Sequence, residues 1–190
     1  MKDLRQYKNY LIVDLEATCC DKQSIQRHEM ETIEIGAVLV DAEDLSIKTE
    51  FQTFIKPVRH PILTEFCKQL TSIQQIDVEN ATTFPEALQL FKNWLYQYDE
   101  FLFCSWGDYD RRQIEQECQF HGVAYPFSSE HVNIKKLFSE SQGIKKKLGM
   151  AEALKLARLP LEGTHHRGID DAKNMAKLMP YILGIKKIER

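Results

Sequence analysis

A run of apolar residues that stops on two acids, Tyr10–Glu16 (YLIVDLE), constrains this chain more than any other feature. Leu11, Ile12 and Val13 have the composition of a strand buried in a sheet, and strand side chains alternate, so residues two apart share a face. Asp14 and Glu16 therefore point together, while Leu15 points the other way. Two carboxylates side by side at the end of a buried strand repel each other and lose hydration. A divalent cation offsets both penalties, and hard oxygen donors suit Mg²⁺ or Mn²⁺. The plain alternative is a strand that ends in two solvated acids.

Two further strands follow closely. Ile33–Asp41 (IEIGAVLVD) is β-branched and mostly apolar. Lys48–Lys56 (KTEFQTFIK) alternates, with Phe51, Thr53 and Ile55 on one face and Gln52 and Phe54 on the other. Asp41–Ser46 supplies a turn, and three consecutive strands with short connections suggest an antiparallel meander. The period then becomes helical. Leu88, Phe91, Leu95 and Tyr98 predict a helix over Phe84–Tyr98, with Thr82 or Thr83 as cap and Pro85 in the first turn. A short strand, Phe101–Ser105, precedes a helix from about Tyr109 to His121. Helices are also expected over Lys147–Arg158 and Ile169–Leu183. The last carries an apolar stripe through Ala172, Met175, Ala176, Met179, Ile182 and Leu183. Pro180 should kink or end it, since an unrelieved interior proline costs about 3 kcal/mol. No repeat or Gly/Ser/Pro linker divides the 190 residues, which are 43% hydrophobic and 28% charged. The expectation is one domain over 1–190, an α/β fold with helices flanking a central mixed sheet whose first three strands are antiparallel.

Several function classes are set aside by composition. The longest apolar runs, such as Tyr10–Val13 and Ala37–Val40, are too short to cross a bilayer. The opening decapeptide MKDLRQYKNY lacks the apolar stretch and small-residue cleavage site of a secretory signal. Cys19, Cys20, Cys67, Cys104 and Cys118 are odd in number with no CxxC pair, and read as reduced thiols of a cytoplasmic protein. A net charge of −3 argues against a broadly basic nucleic-acid binder. Four carboxylates around two divalent cations would reverse that sign, so the surface an anionic substrate meets depends on metal. Arg111-Arg112, Lys135-Lys136, Lys145–Lys147 and Lys186-Lys187 are basic clusters able to track phosphates or simply to face solvent. Lys186-Lys187 read as a solvated face, and Lys145–Lys147, in a loop-like stretch, as the better phosphate contacts.

Two more acidic signals follow the first. Ser105-Trp106-Gly107-Asp108-Tyr109-Asp110 leaves a strand and opens a helix. Acids there cap a helix and favour its dipole, but a carboxylate beside an aromatic ring also suits a nucleobase. Thr164–Ala172 (THHRGIDDA) sets a histidine five residues before an acid, across a glycine and into a helix start. Histidine is the side chain best suited to take a proton from water near neutral pH. The plain reading is a surface loop with a helix capped at Asp170.

In chain order these motifs are strand-DxE, strand-loop-Tyr-Asp-helix and His-x4-Asp-helix, an order that closely resembles the DEDDh 3′–5′ exonucleases. Within that superfamily the chain is most similar to the Eri-type group, which includes the histone-mRNA 3′ exonuclease. YLIVDLEATCCD with IEIGAVLVD resembles the group's opening, FQTFIKPVRHPILTEFCKQLTSIQQIDVENATTFPEAL a long middle stretch, and HRGIDDAKN its closing motif. The resemblance spans roughly Asn9 to Leu183, giving an expected core of about 9–183.

The resemblance implies an RNase H-like fold and a specific set of residues. Asp14, Glu16, Asp110 and Asp171 become metal ligands, with Glu16 also catalytic. Asp110 follows an aromatic as the family's acid does, and Asp108 is the other candidate. His166 becomes the general base paired with Asp171, and His165 and Asp170 become neighbours. Ala17, Phe66, Leu70 and Tyr109 match positions that hold the terminal nucleoside, although Phe66 and Leu70 are equally spaced for ordinary helix core. The implied activity is two-metal hydrolysis, with Mg²⁺ or Mn²⁺, at the 3′ end of single-stranded RNA or DNA, releasing a nucleoside 5′-monophosphate. Two alternatives remain. One is a non-catalytic nucleic-acid-binding domain of the same fold, whose mark would be loss of the motif residues, all five of which are present in type. The other is a hydrolase of small phosphate esters. The extra RNA-reading domain of some Eri-type relatives is not seen in the chain, so their hairpin specificity is not expected.

Overall fold

Strand β1 (Asn9–Ala17) is apolar on both faces, and it lies in the middle of a five-stranded sheet. The computed structural model describes residues 4–22, 24–128 and 130–189. The leader-free reading of the first decapeptide rests partly on residues 1–3, which lie outside the described residues. Strand β2 (Thr32–Asp41) pairs antiparallel with β1, and β3 (Ile47–Phe54) antiparallel with β2. On the other side of β1, β4 (Phe101–Ser105) and then β5 (His131–Asn133) run parallel to it, giving the order β3-β2-β1-β4-β5. The expected mixed sheet with an antiparallel opening meander is therefore present.

Among the described residues there are seven α-helices: α1 (Glu65–Thr71), α2 (Gln75–Glu79), α3 (Phe84–Leu95), α4 (Tyr109–His121), α5 (Ile134–Ser141), α6 (Met150–Leu156) and α7 (Gly168–Ile182). Alternation in β1 sorts α3–α7 into two layers, while Cys67 of α1 and Val78 of α2 cluster with Ile33 of β2. Leu11, Val13 and Leu15 pack with Phe84, Leu88 and Phe91 of α3 and Ile114 of α4. Tyr10 and Ile12 pack with Phe138 of α5, Leu154 of α6 and Met175 and Met179 of α7. Among the described residues no helix is long and apolar enough to cross a membrane, and all five cysteines are free.

Several boundaries differ from the sequence pattern for local reasons. Helix α3 starts at its Thr83 cap, whose N–H donates to Glu86 at 2.8 Å, and ends at Leu95 rather than Tyr98. Helix α6 begins only at Met150, because the Gly149 N–H donates to the Glu152 carboxylate at 3.0 Å and the three lysines stay outside. Pro180 neither kinks the middle of α7 nor ends it on the spot. It sits in the final turn, so a single intrahelical bond is forgone, and the Leu183 N–H closes that turn on Met179 at 2.9 Å. Helices α2 and α5 and strand β5 lie outside the expected set.

What positions the site is the way α7 crosses the sheet. Gly36 of β2 stands opposite Asp14 of β1. A Cβ on Gly36 would lie 2.0 Å from the backbone of Gly168 and Ile169, and one on Gly168 would lie 2.9 Å from the Asp14 carbonyl. Only glycines let the first turn of α7 rest on the two strands here.

Candidate active site

The face of β1 that buries Tyr10 and Ile12 continues to Asp14 and Glu16. Where α7 reaches the strand, its first turn brings Asp171 over both acids. Ligand oxygens of Asp14, Glu16 and Asp171 lie within 4.8 Å of one another. Asp110 arrives from the other side of β1, in the first turn of α4 directly after β4, and one of its oxygens accepts the Leu15 N–H at 3.1 Å. All four acids line one cleft of about 370 Å³.

The second-motif alternatives separate cleanly. Asp108 turns away from the cleft, where its carboxylate accepts Asn133 Nδ2 at 3.0 Å and faces His131 at 3.8 Å. Asp110 is 4% exposed and lines the cleft.

Burial sets the electrostatics. Glu16 is pushed up to about 9 by loss of hydration, then by the charges of Asp171, Glu34 and Asp110. Asp14 lies well above the usual carboxylate range, again mainly through burial, then through Asp110 and Glu16. Burial lifts Asp110 to about 6 against the Leu15 N–H, and lifts Asp171 against His165. Among the described residues, neither the Asp14 nor the Glu16 carboxylate takes a hydrogen bond or a cationic partner. Buried carboxylates in this state lack the compensation that burial demands. The donor set fits hard divalent cations: carboxylate oxygens, close together, with no protein cation among them.

The histidine pair divides its contacts with Asp171. The His166 backbone N–H donates to Asp171 Oδ2 at 3.1 Å, whereas it is the His165 ring whose Nδ1 sits 2.9 Å from that oxygen. The rings stack with centroids 4.0 Å apart, and both line the cleft. His166 holds a left-handed φ of 63°, uncommon outside glycine, at the turn into α7. Burial lowers the His166 pKa, helped by His165 and opposed by Asp171, so the ring is neutral near pH 7. Asp170 lies outside the cleft lining, its carboxylate accepting the Thr164 N–H at 2.8 Å.

Ala17, Leu70 and Tyr109 line the cleft, and the Arg27 guanidinium lies 4.3 Å from the centre of the Tyr109 ring. Phe66, one turn before Leu70, is not among the lining residues. Neither residue is helix core. They are 37% and 36% exposed, and α1 buries Cys67 and Thr71 instead. None of the basic clusters lines the cleft among the described residues, and Arg111, Lys136 and Lys146 pair with Glu115, Glu140 and Glu152.

The sequence reading missed Met30, Trp106 and Met150 of the cleft wall, and it missed Glu34. Glu34 is fully buried and accepts the Gly168 N–H at 3.0 Å and Arg167 Nε at 3.1 Å, pinning the start of α7. A single acid inside the otherwise apolar β2 is the signal that could have found it.

Similarity to known proteins follows the same residues. The RNase T family model, described as an exonuclease, matches residues 11–179. ERI1 exoribonuclease 3 of Homo sapiens is 31% identical over 183 residues, covering 92% of this chain and 53% of that protein. The 3′-5′ exonuclease Snipper of Drosophila melanogaster is 30% identical, covering 93% of this chain and 69% of that protein. Among solved structures, the nuclease domain of 3′hExo, a DEDDh family member, bound to rAMP matches with a TM-score of 0.81 and 27% identity, covering 97% of this chain and 96% of that one. A 3′-exonuclease described in 3′-end specific recognition of a histone mRNA stem-loop matches with a TM-score of 0.86 and 26% identity, covering 94% and 64%. The chain spans about half the length of the exoribonuclease 3 relatives it matches.

Proposed function

The chain belongs to the RNase T family of exonucleases, in its DEDDh, Eri-type group, and from that premise we propose that it is a divalent-cation-dependent 3′–5′ exonuclease acting on single-stranded RNA or DNA. One observation carries the reading. Asp14, Glu16, Asp110 and Asp171 meet with His166 on a single cleft, and the two acids of β1 have no protein cation. The domain would be 1–190, around a core of about 9–183.

The four carboxylates are the residues to hold two Mg²⁺ or Mn²⁺ ions. Such ions, when bound, lower the pKa of a water nucleophile and offset charge on the phosphorus centre and the leaving oxygen. His166 is assigned the proton. Its ring is at the cleft and neutral near pH 7, so it can accept the hydrogen that leaves water as the oxygen attacks phosphorus. Asp171 steadies that turn through the His166 N–H. As the new P–O bond forms, the bond to the 3′ oxygen of the preceding nucleotide breaks. The products are a shortened strand with a 3′ hydroxyl and a nucleoside 5′-monophosphate. Ala17, Leu70 and Tyr109 offer the terminal nucleoside an apolar wall, with Phe66 at an outer position on α1.

RNA is favoured as one substrate by the names of the exoribonuclease relatives and by the nucleotide bound to 3′hExo. The test is incubation of matched 3′- and 5′-labelled RNA and DNA strands with and without Mg²⁺ or Mn²⁺. A 3′ label should leave first, as mononucleotide, while the 5′-labelled strand shortens stepwise, and chelator should stop both. A strand left intact with metal, or trimmed equally in chelator, would overturn the reading.

A further inference from the structure

The loop that joins β1 to β2 carries a guanidinium to the edge of the cleft. Arg27 opens a single 3₁₀ turn, Arg27–Glu29, and its side chain is exposed. Tyr109, Gln113 and Gln116 are spaced to share one face of α4, and Arg27 touches all three. Its guanidinium carbon is 4.3 Å from the centre of the Tyr109 ring. Its Nη1 donates to Gln113 Oε1 at 2.6 Å and to Gln116 Oε1 at 3.4 Å. The Nε2 of each glutamine donates in turn to the Met30 carbonyl, at 2.8 and 2.9 Å. A carbonyl can only accept and a guanidinium can only donate, so each amide keeps its nitrogen toward Met30 and its oxygen toward Arg27. Gln113 is fully buried, and Met30 and Tyr109 line the cleft, so what holds Arg27 is the cleft wall itself.

Negative charge is what this arrangement does not supply. Arg59, Arg111, Arg158 and Arg167 each lie within 3.8 Å of a carboxylate. Among the described residues Arg27 pairs with none, and meets only neutral amides and an aromatic ring. Its Nη1 is used, while Nε and Nη2 have no hydrogen-bond partner among the described residues. Those two nitrogens form one edge of the planar guanidinium, a fork that fits two oxygens of a phosphate. We propose that Arg27 binds a phosphate of the substrate strand through its Nε–Nη2 edge, at the rim of the cleft beside Tyr109. The scissile phosphate belongs with the acids, and Arg27 is not among the lining residues, so the phosphate it meets is a different one. Arg27 thereby supplies at the rim a phosphate contact that the basic clusters, none of which lines the cleft, do not supply there. The inference rests on the reading of the cleft as an exonuclease site.

The experiment compares wild type, Arg27→Gln and Arg27→Lys at fixed Mn²⁺ on two substrates. One is a labelled single-stranded oligonucleotide, assayed over a range of salt. The other is the p-nitrophenyl ester of thymidine 5′-monophosphate, which has a nucleoside and a scissile phosphate but no second phosphate. Arg27→Gln should raise KM for the strand about 10-fold, the worth of one charged hydrogen-bonded contact, with kcat nearly unchanged. The slope of log KM against log salt should become shallower by about 0.7, as expected when one phosphate contact to a single strand is lost. Hydrolysis of the ester should not change. Arg27→Lys keeps the charge without the fork, so it should restore the salt slope and only part of KM. A strand KM or a salt slope that does not move in Arg27→Gln would overturn the proposal. An equal loss on strand and ester would also overturn it, because Arg27 would then act only by holding Tyr109 and the loop in place. Wild type that leaves the strand intact with Mn²⁺ would instead refute the exonuclease reading, and this inference with it.

Discussion

Buried carboxylates gather in two places in this molecule, and they are treated differently. Glu31 and Glu117 are nearly inaccessible, yet each is answered. Glu31 accepts the N–H groups of Val58, Arg59 and His60 at 2.7–2.9 Å, and Glu117 faces Arg59 at 3.5 Å and His121 at 3.6 Å. In the cleft, Asp14 and Glu16 face other acids. Burial and neighbouring charge raise Glu117 to about 8 and Glu16 to about 9, so a raised pKa alone does not tell the two places apart. Partners do. Charge that the fold compensates from within is structural, and charge that it leaves uncompensated marks the place where something else must bind.

The sharpest way to break this comparison is to remove one acid from each place. Asp14→Ala or Asp171→Ala should abolish metal-dependent hydrolysis in the labelled-strand assay, while Glu117→Ala should leave the metal requirement as it is. His166→Ala comes next, with turnover down by roughly 10²–10⁴-fold and with Mn²⁺ and oligonucleotide binding retained by calorimetry. In stability the order reverses. Glu117→Ala takes one of two carboxylates from the Arg59 guanidinium, which keeps Glu31 at 3.9 Å, and should lower unfolding free energy in urea by about 1 kcal/mol. Asp14→Asn, measured in chelator, should stabilise the chain, because it removes a repelling charge.

A smaller effect lies in pH. The folded, metal-free chain keeps a proton on Glu16 up to about 9, whereas the unfolded chain releases it near the ordinary value of 4.5. The folded state binds more protons across that window, so this contribution is whole below the lower value and is lost as pH rises through the upper one. In chelator, wild type should therefore lose stability relative to Glu16→Gln as pH climbs from about 5 to about 9. A parallel pair of melting curves would contradict the burial assigned to Glu16. Smallest of all, Leu70→Ala should raise KM a few-fold, with kcat nearly unchanged, since only an apolar wall is lost.

The first half of the fold was legible because strands β1 and β2 carry near-continuous apolar runs, and the start of α7 because Gly168 follows a polar loop. Strand β5 has three residues, too few for any period, and its place at the sheet edge depends on pairing with β4. Asp108 and Asp110 could not be separated by spacing, since the expected helix start at about Tyr109 falls between them and an acid on either side of a helix start can cap it or face a site. The helix begins at Tyr109, which puts Asp110 in its first turn and leaves Asp108 before it. Glu34 escaped notice because its partner Arg167 lies 133 residues away. The spacing of Phe66 and Leu70 correctly put them on one helical face but not on which one, and α1 turns that face outward.

The central claim, that unanswered acids in the cleft stand for bound cations, is tested most directly by thermal unfolding of wild type and Asp14→Asn across a Mn²⁺ titration. Ligand that binds only the folded state raises its stability with concentration. Wild type should melt at steadily higher temperature as Mn²⁺ is added, from a lower starting point than Asp14→Asn, and the variant should respond weakly. A wild-type melting temperature indifferent to Mn²⁺, or an equal rise in both proteins, would contradict the account.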